Sequence, residues 1–119
     1  MRTGILGGTF NPPHLGHLHA ARLAREALGL DKVLFIPTNI PPHKALPEDT
    51  ATVADRCEMV RLLLADTPWA RLDTLEVARG GASYTVDTLR ALHARGERAL
   101  YLIVGTDMLL SFDRIWRAP

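Results

Sequence analysis

Short, unbroken apolar runs alternate along this chain with segments that are apolar only at helical spacing, and that alternation constrains the fold more than any other feature. Lys32–Pro37 carries Val33, Leu34, Phe35 and Ile36 without a polar break, as expected of a strand covered on both faces. Arg2–Leu6, Arg71–Val77 and Leu100–Val104 read as further strands. Between them, Leu18, Ala21, Ala24 and Leu28 predict a helix from Gly16 to Leu28 with Gly29 as its stop. Thr52-Val53-Ala54-Asp55 has the spacing of a capping box, and Cys57, Val60 and Leu64 follow on one helical face. Ser83 or Thr85 can cap a helix bearing Val86, Leu89 and Leu92, with Gly96 beyond its end, and Asp107–Trp116 reads as a last short helix. Pro37, Pro41, Pro42 and Pro47 make the intervening segment a loop. The fold class is therefore α/β, a parallel sheet with helices on both faces. In such sheets ligands bind beyond the carboxyl ends of the strands.

With 119 residues the chain is expected to be one domain, 1–119. A formal charge of +1 makes no case for nucleic acid or an anionic membrane. One cysteine, Cys57, excludes an internal disulfide framework and a cysteine-rich zinc site. No charged-then-apolar leader opens the chain, and no run approaches the ~18 apolar residues of a membrane span, so a cytoplasmic location is expected. Twelve arginines stand against two lysines, Lys32 and Lys44, a hint that Lys44 has a specific task.

The first strand runs into Gly7-Gly8-Thr9-Phe10-Asn11-Pro12-Pro13-His14-Leu15-Gly16-His17. The glycine pair lets the backbone turn sharply, and the prolines stiffen the approach to the helix. The helix start offers unpaired N–H groups and a dipole that favours an anion. His14 and His17, three apart, share one side of that start and can donate hydrogen bonds to charge that develops in phosphorus chemistry. His19 and His93, standing alone, are read as ordinary surface histidines. Neither a Walker-type string nor Gly-x-Gly-x-x-Gly follows the first strand. Elsewhere, Lys44 ends a proline-rich loop as a mobile point charge suited to a phosphate. Gly105 permits close approach of a ligand, and Asp107 can accept ribose hydroxyls, hold a metal through water, or simply cap a helix.

The string Gly8–His17 resembles the His-x-Gly-His signature of the nucleotidylyltransferase superfamily, and within it the chain is similar to the bacterial nicotinate-nucleotide adenylyltransferases. The motif alone is shared with phosphopantetheine, glycerol-3-phosphate and choline-phosphate transferases. Pro37-Thr38-Asn39-Ile40-Pro41-Pro42-His43-Lys44, Ala82-Ser83-Tyr84-Thr85-Val86-Asp87-Thr88 and Ile103-Val104-Gly105-Thr106-Asp107-Met108 resemble the narrower family's substrate-loop, Ser-Tyr-Thr and Gly-x-Asp motifs. The resemblance implies a Rossmann-like sheet and adenylyl transfer from ATP, with Mg²⁺, to nicotinate mononucleotide. His14 and His17 would be catalytic. Gly7, Gly8, Thr9, Phe10, His17, Gly105 and Asp107 would bind ATP. Lys44, Ser83, Tyr84, Thr85 and Trp116 would bind the acceptor, with Trp116 stacking on the pyridine ring. Asn11 and Arg56, the latter in Asp55-Arg56 with Met59, would support the loops. Metal ligation by protein side chains is not implied, nor are nucleic-acid or membrane partners, and the protein would be a monomer or homo-oligomer. Trp69 matches no functional motif and is read as packing.

The family continues with a further strand and helices and an Ile-Ser-x-Thr-x-x-Arg motif that contacts the ATP phosphates. The resemblance spans Met1 to about Trp116 and does not reach that motif, so the sequence reads as the N-terminal part of such an enzyme, lacking the C-terminal elements. A chain of only these residues is expected to be weakly active or inactive, because each lost charge-assisted contact costs about 1.5–3 kcal/mol. The alternatives carried by the sequence are a phosphopantetheine adenylyltransferase and a non-catalytic nucleotide-binding remnant.

Overall fold

The computed structural model describes residues 1–8, 10, 12–38, 52–79, 85–97 and 99–103. Eight elements follow one another: β1 (Arg2–Gly8), α1 (Leu15–Leu28), β2 (Lys32–Pro37), α2 (Val53–Leu63), β3 (Ala70–Leu72), α3 (Leu75–Arg79), α4 (Thr85–Ala94) and β4 (Ala99–Leu102). The four strands form one sheet in the order β3-β2-β1-β4, every pair parallel. The α/β reading of the sequence holds.

Alternation along each strand divides the core between two faces. Leu6, Val33 and Phe35 point to one side, where Leu18 and Ala21 of α1 and Val60 of α2 meet them. Ile5, Leu34 and Ile36 point to the other, where Leu75 of α3 and Leu89 and Leu92 of α4 pack. This is why β2 reads as a continuous apolar run: both faces exclude water. Trp69 packs against the first cluster, with the Arg25 and Arg22 guanidinium groups 5.3 and 6.0 Å from its ring centre.

The helix ends follow local chemistry. Thr52 caps α2, its hydroxyl accepting from the Asp55 N–H at 3.1 Å. Gly29 ends α1 with φ +62°, a conformation that costs glycine nothing. The Arg2 guanidinium adds a bond to the Leu28 carbonyl at 2.8 Å, placing a cation at the negative end of that helix.

Four expectations need correction or bounding. The strand foreseen at Arg71–Val77 stops at Leu72. The Asp73 N–H makes a last sheet-like bond to the Phe35 carbonyl, and its side chain then accepts from the Leu75 N–H, turning the chain into α3. Leu75 and Val77 alternate as in a strand, but the local Asp73 bond wins. Leu28, foreseen on the buried face of α1, is exposed at the last turn. The fourth strand ends at Leu102 with one further bond, from the Ile103 N–H to the Ile5 carbonyl, while Val104 and the helix foreseen at 107–116 lie outside the described residues. Thr85 is the first residue of α4, inside the helix, and the other proposed cap, Ser83, also lies outside them.

No helix among the described residues is long and apolar enough to cross a membrane.

Candidate active site

The carboxyl ends of β1 and β2 lie side by side, with Gly8 opposite Pro37. They are tied just beyond the sheet by the Thr38 N–H, which donates to the Gly8 carbonyl at 2.9 Å. The chain leaves β1 through Phe10, a non-glycine residue at φ +52°. That left-handed conformation is strained for a bulky side chain and persists only where packing holds it. Here the packing is visible. The Phe10 ring is buried, 5.9 Å from Phe35 and edge-on to His17 at 5.0 Å. Phe10 therefore turns inward and braces a histidine.

His14 is the N-cap of α1. Its Nδ1 accepts from the Gly16 N–H at 3.0 Å, and the His17 Nδ1 accepts from the His14 N–H at 3.0 Å. Two imidazoles thus do reciprocally what Ser and Glu do in an ordinary capping box. The rings lie 3.9 Å apart, tilted by 31°. The arrangement selects a tautomer. A neutral imidazole that accepts at Nδ1 carries its proton at Nε2, so both histidines present an Nε2–H donor. His17 is held neutral: burial lowers its pKa below the ordinary 6.5, and the neighbouring His14 adds to the effect.

Gly16 makes the cap possible. A Cβ there would stand 2.7 Å from His14 Cε1 and 2.8 Å from Nδ1. The first turn of α1 carries no acidic residue, in contrast to α2 with Asp55 and α4 with Asp87. Its N-terminal dipole is left without an internal anion, which suits an incoming one.

Arg56 of α2 is 1% exposed, the largest fully buried side chain described. Its Nη1 donates to the Thr38 carbonyl at 2.7 Å. It holds the backbone at Thr38, just beyond the end of β2.

On the other side of the sheet, α3 and α4 are tied at two points. The Thr88 hydroxyl donates to Glu76 Oε2 at 2.6 Å, in a site where Glu76 is 7% and Thr88 2% exposed. Asp73, just ahead of α3, and Arg95, just past the end of α4, form an ion pair at 2.5 Å. Sequence reasoning singled out none of these four. Reading 71–77 as a strand hid Glu76, whose burial follows from α3. It also missed His14 as a cap, because histidine is not among the usual N-cap residues.

The structure thus brings together Gly7, Gly8, Phe10, His14, His17 and, through Thr38, Arg56 at the carboxyl edge of β1 and β2. Thr85 stands separately at the start of α4. Thr9, Asn11, Lys44, Ser83, Tyr84, Gly105, Asp107 and Trp116 lie outside the described residues. Among those described, no group of three or more His, Cys, Asp or Glu side chains could hold a metal ion.

Residues 5–118 match the cytidylyltransferase-like family. A protein of Citrifermentans bemidjiense named "Probable nicotinate-nucleotide adenylyltransferase" is 51% identical over 120 residues, which cover 98% of this chain and 54% of that protein. A protein of the same name from Lactiplantibacillus plantarum is 49% identical over 109 residues, covering 91% of this chain and 51% of its own length. The chain spans about half the length of the curated relatives it matches. A solved structure from Vibrio parahaemolyticus, described as a "Putative Nicotinate-nucleotide Adenylyltransferase", superposes with a TM-score of 0.73 at 20% identity, covering 98% of this chain and 69% of that one. At that identity the likeness speaks for the fold.

Proposed function

Because the chain belongs to the cytidylyltransferase-like family, we propose that it forms the catalytic loop and acceptor elements of a nicotinate-nucleotide adenylyltransferase. The reaction is transfer of the adenylyl group of ATP to nicotinate mononucleotide. The acceptor's phosphate oxygen attacks the α-phosphorus in line. A new P–O bond forms, the bond to the β-phosphate breaks, and pyrophosphate leaves with that electron pair. The product is nicotinate adenine dinucleotide, a precursor of NAD.

The observation that carries this reading is the reciprocal histidine cap. It leaves the proton of both imidazoles on Nε2, beside a helix N-terminus free of acidic residues. Such donors, preset before substrate arrives, stabilise charge as it grows on the α-phosphate and the leaving group. No side-chain nucleophile is required, so positioning and electrostatics supply the acceleration. Magnesium enters with its nucleotide, as Mg·ATP, and offsets the triphosphate charge.

In this reading the Gly7-Gly8 backbone, with Thr9 and Phe10, cradles the phosphates. Gly105 and Asp107 hold the nucleoside end of ATP. Lys44 takes the acceptor's phosphate, and Ser83, Tyr84 and Thr85 receive the nicotinate carboxylate at the start of α4. Trp116 stacks on the pyridine ring. The relatives' names support the choice of acceptor.

The test is pyrophosphate release from ATP with three acceptors in parallel: nicotinate mononucleotide, nicotinamide mononucleotide and phosphopantetheine. Preferred turnover of the first is expected. Turnover of phosphopantetheine alone would overturn the acceptor assignment. Binding of ATP and nicotinate mononucleotide by calorimetry, with no turnover, would mark this chain as a nucleotide-binding module and not a complete enzyme.

A further inference from the structure

α3 has five residues, too few to hold itself in place by its own hydrogen bonds. It is fixed by α4. Leu75 shares an apolar cluster with Leu89 and Leu92. Asp73, just ahead of α3, pairs with Arg95, and Glu76, the second residue of α3, accepts the Thr88 hydroxyl. The two polar links differ in kind. Arg95 is half in solvent, so its pair with Asp73 contributes little. Glu76 and Thr88 are both buried, and a 2.6 Å bond there is short and costly to leave unmade. Thr88 lies three residues after Thr85, within the first turn of α4. Residues 80–84 connect α3 to α4, so the Glu76–Thr88 bond ties the two stems between which the Ser83-Tyr84 segment runs.

We propose that Glu76 is a positioning residue for the acceptor: by accepting the Thr88 hydroxyl it fixes the first turn of α4 against α3, and so the place where the substrate's carboxylate is received. This rests on the reading above, in which the start of α4 takes the nicotinate carboxylate. A carboxyl group buried near that site serves by geometry. Its acceptor oxygen holds Thr88, and the distance of the first turn from the sheet follows. ATP, bound at α1 on the far side of β1, has no share in this contact.

The experiment compares Glu76→Ala, Glu76→Gln, Thr88→Val and Arg95→Ala with the wild-type chain. Calorimetry reads the affinity for nicotinate mononucleotide and, separately, for Mg·ATP. Amide hydrogen exchange reads the first turns of α4 in the ligand-free protein. Glu76→Ala and Thr88→Val should weaken nicotinate mononucleotide about tenfold, leave ATP within about twofold, and speed exchange in α4. Glu76→Gln keeps an oxygen that can accept the hydroxyl and should recover most of the affinity. Arg95→Ala should leave both affinities unchanged. Equal weakening of both ligands, equal weakening by Arg95→Ala, or unchanged exchange in Glu76→Ala would each overturn the proposal. If Glu76→Ala does not fold, Thr88→Val and Glu76→Gln decide the matter alone. Wild-type protein that binds ATP but no nicotinate mononucleotide refutes the acceptor reading and, with it, this role. That failure is distinguishable, because it appears before any substitution is made.

Discussion

Replacing Gly16 with alanine isolates the histidine cap from the stability of the helix it starts. The added Cβ would lie 2.7 Å from His14 Cε1, inside any permitted contact. The imidazole is exposed and can swing away, but doing so abandons the Gly16 N–H. Loss of an N-cap acceptor costs about 1 kcal/mol. Alanine in place of glycine in a helix returns up to about 1 kcal/mol. The two nearly cancel, so the midpoint of chemical unfolding should move by less than about 0.5 kcal/mol equivalent. The donor set suffers without compensation. Once His14 Nδ1 no longer accepts, nothing holds its proton at Nε2, and the ring leaves its place beside His17. Losing one charge-assisted bond to phosphate should weaken Mg·ATP by about tenfold or more. Calorimetry measures the affinity, urea unfolding the stability, and nitrogen-detected NMR of the imidazole the tautomer. An unchanged affinity together with a His14 that has left its cap would refute the argument that the cap presets the donors. A destabilisation above about 2 kcal/mol would show that the backbone, not the ring, absorbs the clash.

In a full-length enzyme, His17→Ala removes a donor and the acceptor for the His14 N–H, so it should abolish pyrophosphate release while costing only about 1 kcal/mol of stability; near wild-type turnover there would sink the catalytic assignment. The lowered pKa of His17 has a definite sign in stability. The folded state resists protonation that the unfolded chain accepts near pH 6.5, so this contribution is complete above that pH and is lost as pH falls through the folded-state value. Thermal melts between pH 5 and 8 should show the loss, and His17→Ala should flatten it. Arg56→Leu leaves the Thr38 carbonyl without its 2.7 Å donor and should destabilise the fold by about 3 kcal/mol in urea titrations. Phe35→Ala, at a position with no exposure, should cost about 3–5 kcal/mol by the same measurement, whereas Leu23→Ala on the exposed side of α1 should stay within about 0.5 kcal/mol.

Several features that a short stretch of chain determines were legible in the sequence. Lys32–Pro37 is a strand because five consecutive residues after Lys32 avoid water on both sides. Gly29 stops α1 because the left-handed turn suits it, and Thr52 starts α2 because its hydroxyl meets the Asp55 N–H. The string from Gly7 to His17 placed two histidines on one side of a strand-to-helix junction, and His14 and His17 do meet there. Arg71–Val77 was misread for a related reason: alternating apolar residues are compatible with a strand, and only the Asp73 side chain, competing for the Leu75 N–H, turns them into α3.

The tertiary structure decided what depends on groups distant in sequence. The order β3-β2-β1-β4 and the bond from Thr38 to Gly8 bring the carboxyl ends of β1 and β2 to one edge. The inward turn of Phe10 depends on Phe35, and the burial of Arg56 depends on the end of β2. The bond between Glu76 and Thr88 exists because the fold brings the first turns of α3 and α4 together, a proximity no periodicity encodes. Residue type names the chemistry a position can perform. The proton's place on an imidazole, or the use of a carboxylate as a brace, is settled by which neighbour the fold presents, since a hydrogen bond acts over a few ångströms and local patterns do not measure that distance.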